Sequence, residues 1–114
     1  MANTFKVATK AGVTSSDVIY SVGSSTTTVV IGLVLGNTTG SQVTATVSLV
    51  SDTANRTNAN DEANQTVELI TNAPIPSGSS LSPLDGKIVM ETTDNITVSA
   101  TGAVDVILSI MEIT

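Results

Sequence analysis

The stretch that decides the fold is the last twelve residues of the 114-residue chain, Ala103-Val104-Asp105-Val106-Ile107-Leu108-Ser109-Ile110-Met111-Glu112-Ile113-Thr114. Apolar residues recur at every second position, which is the pattern of a β-strand with one face on a core. The natural core row is Val104, Val106, Leu108 and Ile110. The row that then points to the opposite face contains Ile107, Met111 and Ile113. A strand that is apolar on both faces is covered on both sides, by its own domain, by a partner subunit or by each in turn.

The same two-residue period recurs along the rest of the chain, and a helical period is never sustained. Together with residues 104–113, it marks strands at residues 4–9, 18–22, 27–35, 42–50, 66–71, 87–92 and 96–100. With 40% apolar but only 2% aromatic residues, the core must consist of Val, Ile, Leu and Ala. We therefore predict one all-β domain over residues 1–114, an antiparallel β-sandwich of about eight strands that is either immunoglobulin-like or a jelly roll.

Turn residues separate these strands. The segment Gly36-Asn37-Thr38-Thr39-Gly40 lies between two apolar runs and predicts a hairpin loop. Residues 93–95 and 101–102 separate the last three strands in the same way, so the second half is predicted to be an antiparallel meander. Residues 1–12 are expected to form an N-terminal arm or an edge strand, and residues 51–65 a long polar loop.

Two strands carry more apolar side chains than one core face needs. In residues 29–35, strict alternation sends Val29, Ile31, Leu33 and Leu35 to the core, so Val30 and Val34 point outward around Gly32. The residues predicted to form an adhesive patch are Val30, Val34, Ile107, Met111 and Ile113. If the two strands are neighbours, this patch marks an association surface. The alternative is that a loop of the same chain, residues 72–84, covers it.

Charge argues against nucleic acid as a partner. The net charge is −6, and the four cations, Lys6, Lys10, Arg56 and Lys87, are scattered along the chain. Nucleic-acid affinity needs several phosphates neutralised at once, so we expect no nucleic-acid partner. No stretch approaches the roughly 18 apolar residues of a membrane span, so we expect no membrane partner either.

Catalysis and cofactor binding have little support in the sequence. The chain contains no His and no Cys, which removes the commonest general base and the soft nucleophile. The residues 52, 55, 61 and 62 supply oxygen donors that a calcium ion could collect, but their spacing matches no known calcium loop. Sugar sites usually stack rings on aromatic side chains, and only Phe5 and Tyr20 are available. We predict neither an enzyme nor a cofactor.

Several blocks of the sequence resemble the small all-β virion structural proteins of tailed bacteriophages, notably those of marine cyanobacteria. These blocks are residues 1–6, Met-Ala-Asn-Thr-Phe-Lys; residues 25–39, Ser-Thr-Thr-Thr-Val-Val-Ile-Gly-Leu-Val-Leu-Gly-Asn-Thr-Thr; residues 72–81, Asn-Ala-Pro-Ile-Pro-Ser-Gly-Ser-Ser-Leu; residues 85–94, Asp-Gly-Lys-Ile-Val-Met-Glu-Thr-Thr-Asp; and residues 104–113. The resemblance spans nearly the whole chain and rests on strand and turn signatures, without a chemical motif. It implies a virion component with a β-sandwich fold, assembled in the host cytoplasm.

The residues favour one position in such a virion. An acidic, Thr-rich sandwich keeps a particle soluble on its outside, while apolar strands bind the lattice or each other. We therefore expect a capsid decoration or cement protein that binds the major capsid protein or other virion subunits and forms a homo-oligomer. The alternatives are a neck, tail or fibre-associated component and a carbohydrate- or receptor-binding module.

Overall fold

The computed structural model describes residues 2–52 and 65–114, which form nine strands. They are β1 (Asn3–Val13), β2 (Asp17–Ser21), β3 (Thr27–Asn37), β4 (Val43–Ser51), β5 (Gln65–Ile75), β6 (Ser80–Leu81), β7 (Ile88–Met90), β8 (Asn95–Ala100) and β9 (Val104–Ile113). The prediction of an all-β fold is confirmed, and the strand added to the predicted eight is the short β6. In this described part of the chain, no helix is long and apolar enough to cross a membrane.

The strands form two antiparallel sheets. Sheet A has the order β1-β9-β3-β6, with β7 pairing the same edge of β3, and sheet B has the order β2-β8-β4-β5. The chain changes sheet at each connection except those from β4 to β5 and from β6 to β7. This order is that of a jelly roll, which decides between the two sandwich types left open by the sequence.

Two predictions about connections are wrong. The turn after β3 is not a hairpin, because β3 lies in sheet A and the next strand, β4, lies in sheet B. The last three strands are not a meander either, because β8 pairs with β2 and β4 while β9 pairs with β1 and β3. Turn residues specify that the chain reverses, but whether it returns beside the same strand or crosses to the other sheet depends on packing over long sequence distances.

The core lies between the sheets and is built by alternation, as the sequence indicates. On β9 the predicted core row is buried at every position: Val104, Val106, Leu108 and Ile110. On β4, Val43, Ala45 and Val47 are buried, and the hydroxyl side chains between them point away from the core. Burial of apolar area at roughly 25 cal/mol per Å² is what holds the two sheets together.

The alternation of buried and exposed residues along β3 reverses in the middle of the strand. Its pairing with β9 shifts between Val30 and Gly32, which is a β-bulge at Ile31. Because one residue is inserted there, Val30 is buried before the bulge and Leu33 is buried after it. The prediction that Val30 points outward is therefore wrong: its side chain is fully buried in the core.

Asn37 fixes the crossing from β3 to β4. Its buried side-chain amide donates hydrogen bonds to the carbonyl oxygens of Ser41 and Ile75, at 2.8 and 2.9 Å. Its side-chain oxygen accepts hydrogen bonds from the amide and the hydroxyl of Thr39, at 2.9 and 2.7 Å. One buried side chain thus joins the end of β3, the crossing and the end of β5.

Candidate assembly interface on sheet A

The large side chains on the outer face of sheet A are apolar across four strands, with Ser109 between Val7 and Gly32 in the middle of the face. We call it the apolar face, and it consists of Phe5, Val7, Val29, Ile31, Val34, Val89, Ile107, Met111 and Ile113. Phe5 is 74% exposed, Val7 and Val89 are each 63% exposed, and Ile107 is 47% exposed. Large apolar side chains are rarely gathered on one open surface of a soluble domain unless something binds there.

Strand register arranges these side chains in rows. Met111 lies opposite Phe5 on one side and Val29 on the other, and Val29 lies opposite Val89, so one row crosses β1, β9, β3 and β7. A second row joins Ile107 to Val34 and to Thr9. With strands about 4.8 Å apart and a rise of about 3.4 Å per residue, the face measures about 14 by 20 Å. Among the described residues of β1, β3 and β9, Asp105 is the one charged side chain on this side, at the end of the face.

The outer face of sheet B is chemically different. Thr46 lies opposite Ser99 there, and Ser48 lies opposite Thr97, so hydroxyl groups line the middle of the sheet. Among the described residues on this side, Val18 is the large apolar residue that is exposed, at 54%. The sandwich therefore has one apolar and one hydroxyl-rich outer face, so its two sides are chemically distinct.

Four of the five residues predicted for the patch lie on the apolar face: Val34, Ile107, Met111 and Ile113. Val30 does not, for the reason given above. Sequence reasoning missed Phe5, Val7 and Val89, which reach the face only because β1 and β7 join sheet A. It also assigned Val29 and Ile31 to the core, although Gly32 inside the strand is a recognised signal of a bulge.

The alternative covering segment, residues 72–84, lies elsewhere. Its first residues belong to β5 in sheet B. Leu81 belongs to β6, at the edge of sheet A, and lies opposite the core residue Leu35. Among the described parts of the chain, no segment shields Val34 or Ile107 from solvent.

A polar cluster ties the two sheets together behind the apolar face. The hydroxyl of Tyr20 on β2 donates to Glu112 on β9 and is 2.8 Å from the hydroxyl of Thr28 on β3. Lys6 on β1 forms a 2.8 Å ion pair with Glu112. Burial, followed by the hydrogen bond to Glu112, raises the pKa of Tyr20 to about 12, and the bond from Lys6 lowers the pKa of Glu112. The cluster fixes β1 and β2 against the ends of β3 and β9.

The clefts formed by the described residues are small. A cleft of about 260 Å³ lies beside Leu69, Leu84 and Ile88, and a smaller one of about 140 Å³ is lined by hydroxyls such as those of Thr46 and Ser99. Both are below the 300–1,000 Å³ typical of ligand pockets. The described residues contain no group of three or more His, Cys, Asp or Glu that could hold a metal ion. Three of the four candidate calcium ligands, at positions 55, 61 and 62, lie outside the described residues.

Comparison with known proteins adds one structure. No protein-family model matches the chain, and no curated protein matches it. A solved structure from work entitled "Bacillus endospore appendages form a novel family of disulfide-linked pili" is similar to it, with 16% sequence identity and a TM-score of 0.42. The match covers 96% of this chain and 85% of that chain. The present 114 residues contain no cysteine.

Proposed function

We propose that this protein is a structural component that assembles by burying the apolar face of sheet A against a partner. The observation that carries the proposal is the apolar row from Phe5 through Met111 and Val29 to Val89. It crosses four strands, with Phe5 and Val89 exposed and Met111 and Val29 partly exposed between them. The partner we propose is the major capsid protein of a tailed bacteriophage, on whose head the protein acts as a decoration or cement protein. The resemblance of the sequence blocks to phage virion proteins supports this choice of partner.

The two faces of the sandwich fit this role. With the apolar face on the capsid, the hydroxyl-rich face of sheet B remains in solvent, on a chain with a net charge of −6. An acidic, hydroxylated outer surface disfavours aggregation of particles. The protein needs no catalytic group for this work, in keeping with a sequence that lacks His and Cys.

Burial of the apolar face supplies the energy for cementing in this proposal. Each large apolar side chain that is fully buried contributes about 1.5–3 kcal/mol before the costs of association are subtracted. A subunit that straddles two capsid subunits adds this contact to the lattice, so internal pressure must break it before the shell opens. Many copies around the shell act together.

The test compares an exposed valine on each face. Val34→Asp places a charge on the apolar face, and Val18→Asp places the same charge on the outer face of sheet B. Both variants should keep the wild-type circular dichroism spectrum. We expect Val34→Asp to lose co-sedimentation with capsids that lack the protein, and Val18→Asp to bind as wild type does. Normal binding of Val34→Asp and of a second face variant, Ile107→Asp, would refute a role for the face.

The position in the virion needs a separate measurement. Electron microscopy of virions that carry labelled copies should place the label over the head. Label restricted to the neck, tail or fibres would replace the decoration role with the alternative virion role.

A further inference from the structure

The four edges of the two sheets differ in how open they are to further pairing. The β2 edge is five residues long and contains a register shift, and β5 contains two shifts and Pro74. The remaining edge of β3 is divided between the short strands β6 and β7. By contrast, β1 pairs with β9 without a shift from Asn3 to Lys10, and none of the described strands pairs with its other edge. Such a long, regular edge is what other strands pair with.

Hydrogen-bond geometry identifies the groups on this open edge. The amide of Ala2 donates to the carbonyl of Thr114, and the amide of Thr114 donates to the carbonyl of Ala2, both at 3.0 Å. In an antiparallel ladder the residues alternate between those bonded to the partner and those facing away. Even-numbered residues of β1 therefore bond to β9, while the N–H and C=O groups of Phe5, Val7 and Thr9 point to the open edge.

We propose that this edge pairs with the same edge of a second copy of the chain, antiparallel, around a two-fold axis at Val7. In this register Val7 lies opposite Val7 of the second copy, and Phe5 lies opposite Thr9. The free donors and acceptors then match in pairs, which gives about six hydrogen bonds between the three central pairs. A two-fold contact is self-complementary, so it closes at two copies and leaves no open edge on β1.

The lysines select the register. Lys6 and Lys10 lie on the side of β1 that faces Ile110 and Val106, away from the apolar face. Like charges directly opposite each other destabilise a strand pair. Shifting the axis by one residue toward either end would put Lys6 opposite Lys6 or opposite Lys10. With the axis at Val7, Lys6 lies opposite Ala8 and Lys10 opposite Thr4. Axes at Phe5 and at Thr9 also separate the lysines. The first pairs a shorter stretch of β1, which begins at Asn3, and the second runs into the register shift between Lys10 and Val13.

This pairing would join two apolar faces into one surface. Phe5 and Val7 stand at the β1 end of each face, so the two faces meet along the dimer axis. The inference does not depend on the identity of the partner that covers the face. Dimerisation and binding to the capsid are measured separately, so either can fail while the other is observed.

Removal of one backbone donor tests the pairing. Val7→Pro deletes an N–H that points to the open edge and leaves the bonds to β9 intact, whereas Val7→Thr keeps the N–H and alters the side chain. Sedimentation equilibrium of the full chain should show a dimer for wild type and for Val7→Thr. Val7→Pro should raise the dimer dissociation constant by about 30-fold or more, because two donors are lost at the axis. Wild type that stays monomeric from micromolar to millimolar concentration, or a dimer unaffected by Val7→Pro, overturns the proposal.

Cross-linking tests the register without requiring Val7→Pro to fold. The chain has no cysteine, so a single introduced thiol reports one contact. Opposed hydrogen-bonded residues have Cα atoms about 5.5 Å apart, within disulfide range. Val7→Cys should give a covalent dimer on mild oxidation, and Val89→Cys, on an equally exposed residue of β7, should not. Equal cross-linking of the two variants, or of Phe5→Cys in place of Val7→Cys, contradicts the proposed axis.

Discussion

Val30 and Val34 lie four residues apart on β3, and their side chains point to opposite faces of sheet A. Val30 is fully buried in the core, while Val34 is 37% exposed on the apolar face, opposite Ile107. The bulge at Ile31 separates them, because the inserted residue reverses the alternation that follows. The bulge is thus what places Val34, and not Leu33, on the surface.

This reversal predicts unequal effects of the same substitution. Val30→Ala should lower the free energy of unfolding by about 2–3 kcal/mol, since it removes two buried methyl groups and leaves a cavity. Val34→Ala should cost less than about 1 kcal/mol, because its side chain already contacts water. Urea denaturation of both variants measures the difference. Equal losses would mean that the bulge does not separate the two residues.

Gly102 is predicted to be intolerant of a side chain. A Cβ atom there would lie 2.6 Å from Cγ1 of Val43, a buried and β-branched side chain with little freedom to move. Gly102→Ala should therefore cost about 1–3 kcal/mol. Val43→Ala should relieve the clash. The double variant should therefore lose less stability than the sum of the losses of the two single variants.

Gly36 provides the control for Gly102. A Cβ atom at Gly36 would meet nothing within 4 Å. Gly36→Ala should change the free energy of unfolding by less than about 1 kcal/mol. A similar loss of stability for both variants would mean that backbone conformation, and not a clash with Val43, is the cause.

The raised pKa of Tyr20 predicts that the protein loses stability in alkaline solution. Its pKa is about 12 in the folded protein and 10.0 ordinarily, so the unfolded chain releases this proton first. The free energy of unfolding should then fall as pH rises from about 10 to about 12, and this contribution is fully present below pH 10. Since Tyr20 is the one tyrosine in the sequence, phenolate absorbance titrates it alone. In Tyr20→Phe, the part of the pH dependence due to this group should vanish. A phenolate midpoint near 10 in the folded protein would contradict the prediction.

The hydrogen bonds of the buried Asn37 side chain are predicted to stabilise the jelly roll. Asn37→Ala should cost about 2–4 kcal/mol, since it leaves the buried partners of the side chain, including the carbonyl of Ile75, without a hydrogen bond. Asn37→Asp should be worst at neutral pH, because a carboxylate cannot donate to that carbonyl, and should recover in part in mild acid as the carboxyl gains a proton. Ser41→Ala is the control, because the bond from Asn37 goes to the backbone of Ser41. Urea titrations at both pH values compare the three variants.

Part of the candidate interface could be predicted from the sequence. Ile107, Met111 and Ile113 lie in a strand with unbroken alternation, so assigning Leu108 and Ile110 to the core places them on the other face. Val30 could not be assigned in this way, because the bulge depends on how β3 fits β9 and not on the residues of β3 alone. Phe5 and Val89 could not be included, because their strands are distant in sequence and join the face only through pairing.

The sequence by itself determined the strand positions, the all-β class and the buried rows of β4 and β9, since a two-residue period directly reflects which side chains share a face. The tertiary structure alone decided the jelly-roll order, the reversal within β3, the joining of four strands into one apolar face and the open edge of β1. These features depend on which strands become neighbours. That choice is made by packing between residues as far apart as Phe5 and Met111, which local periodicity does not encode.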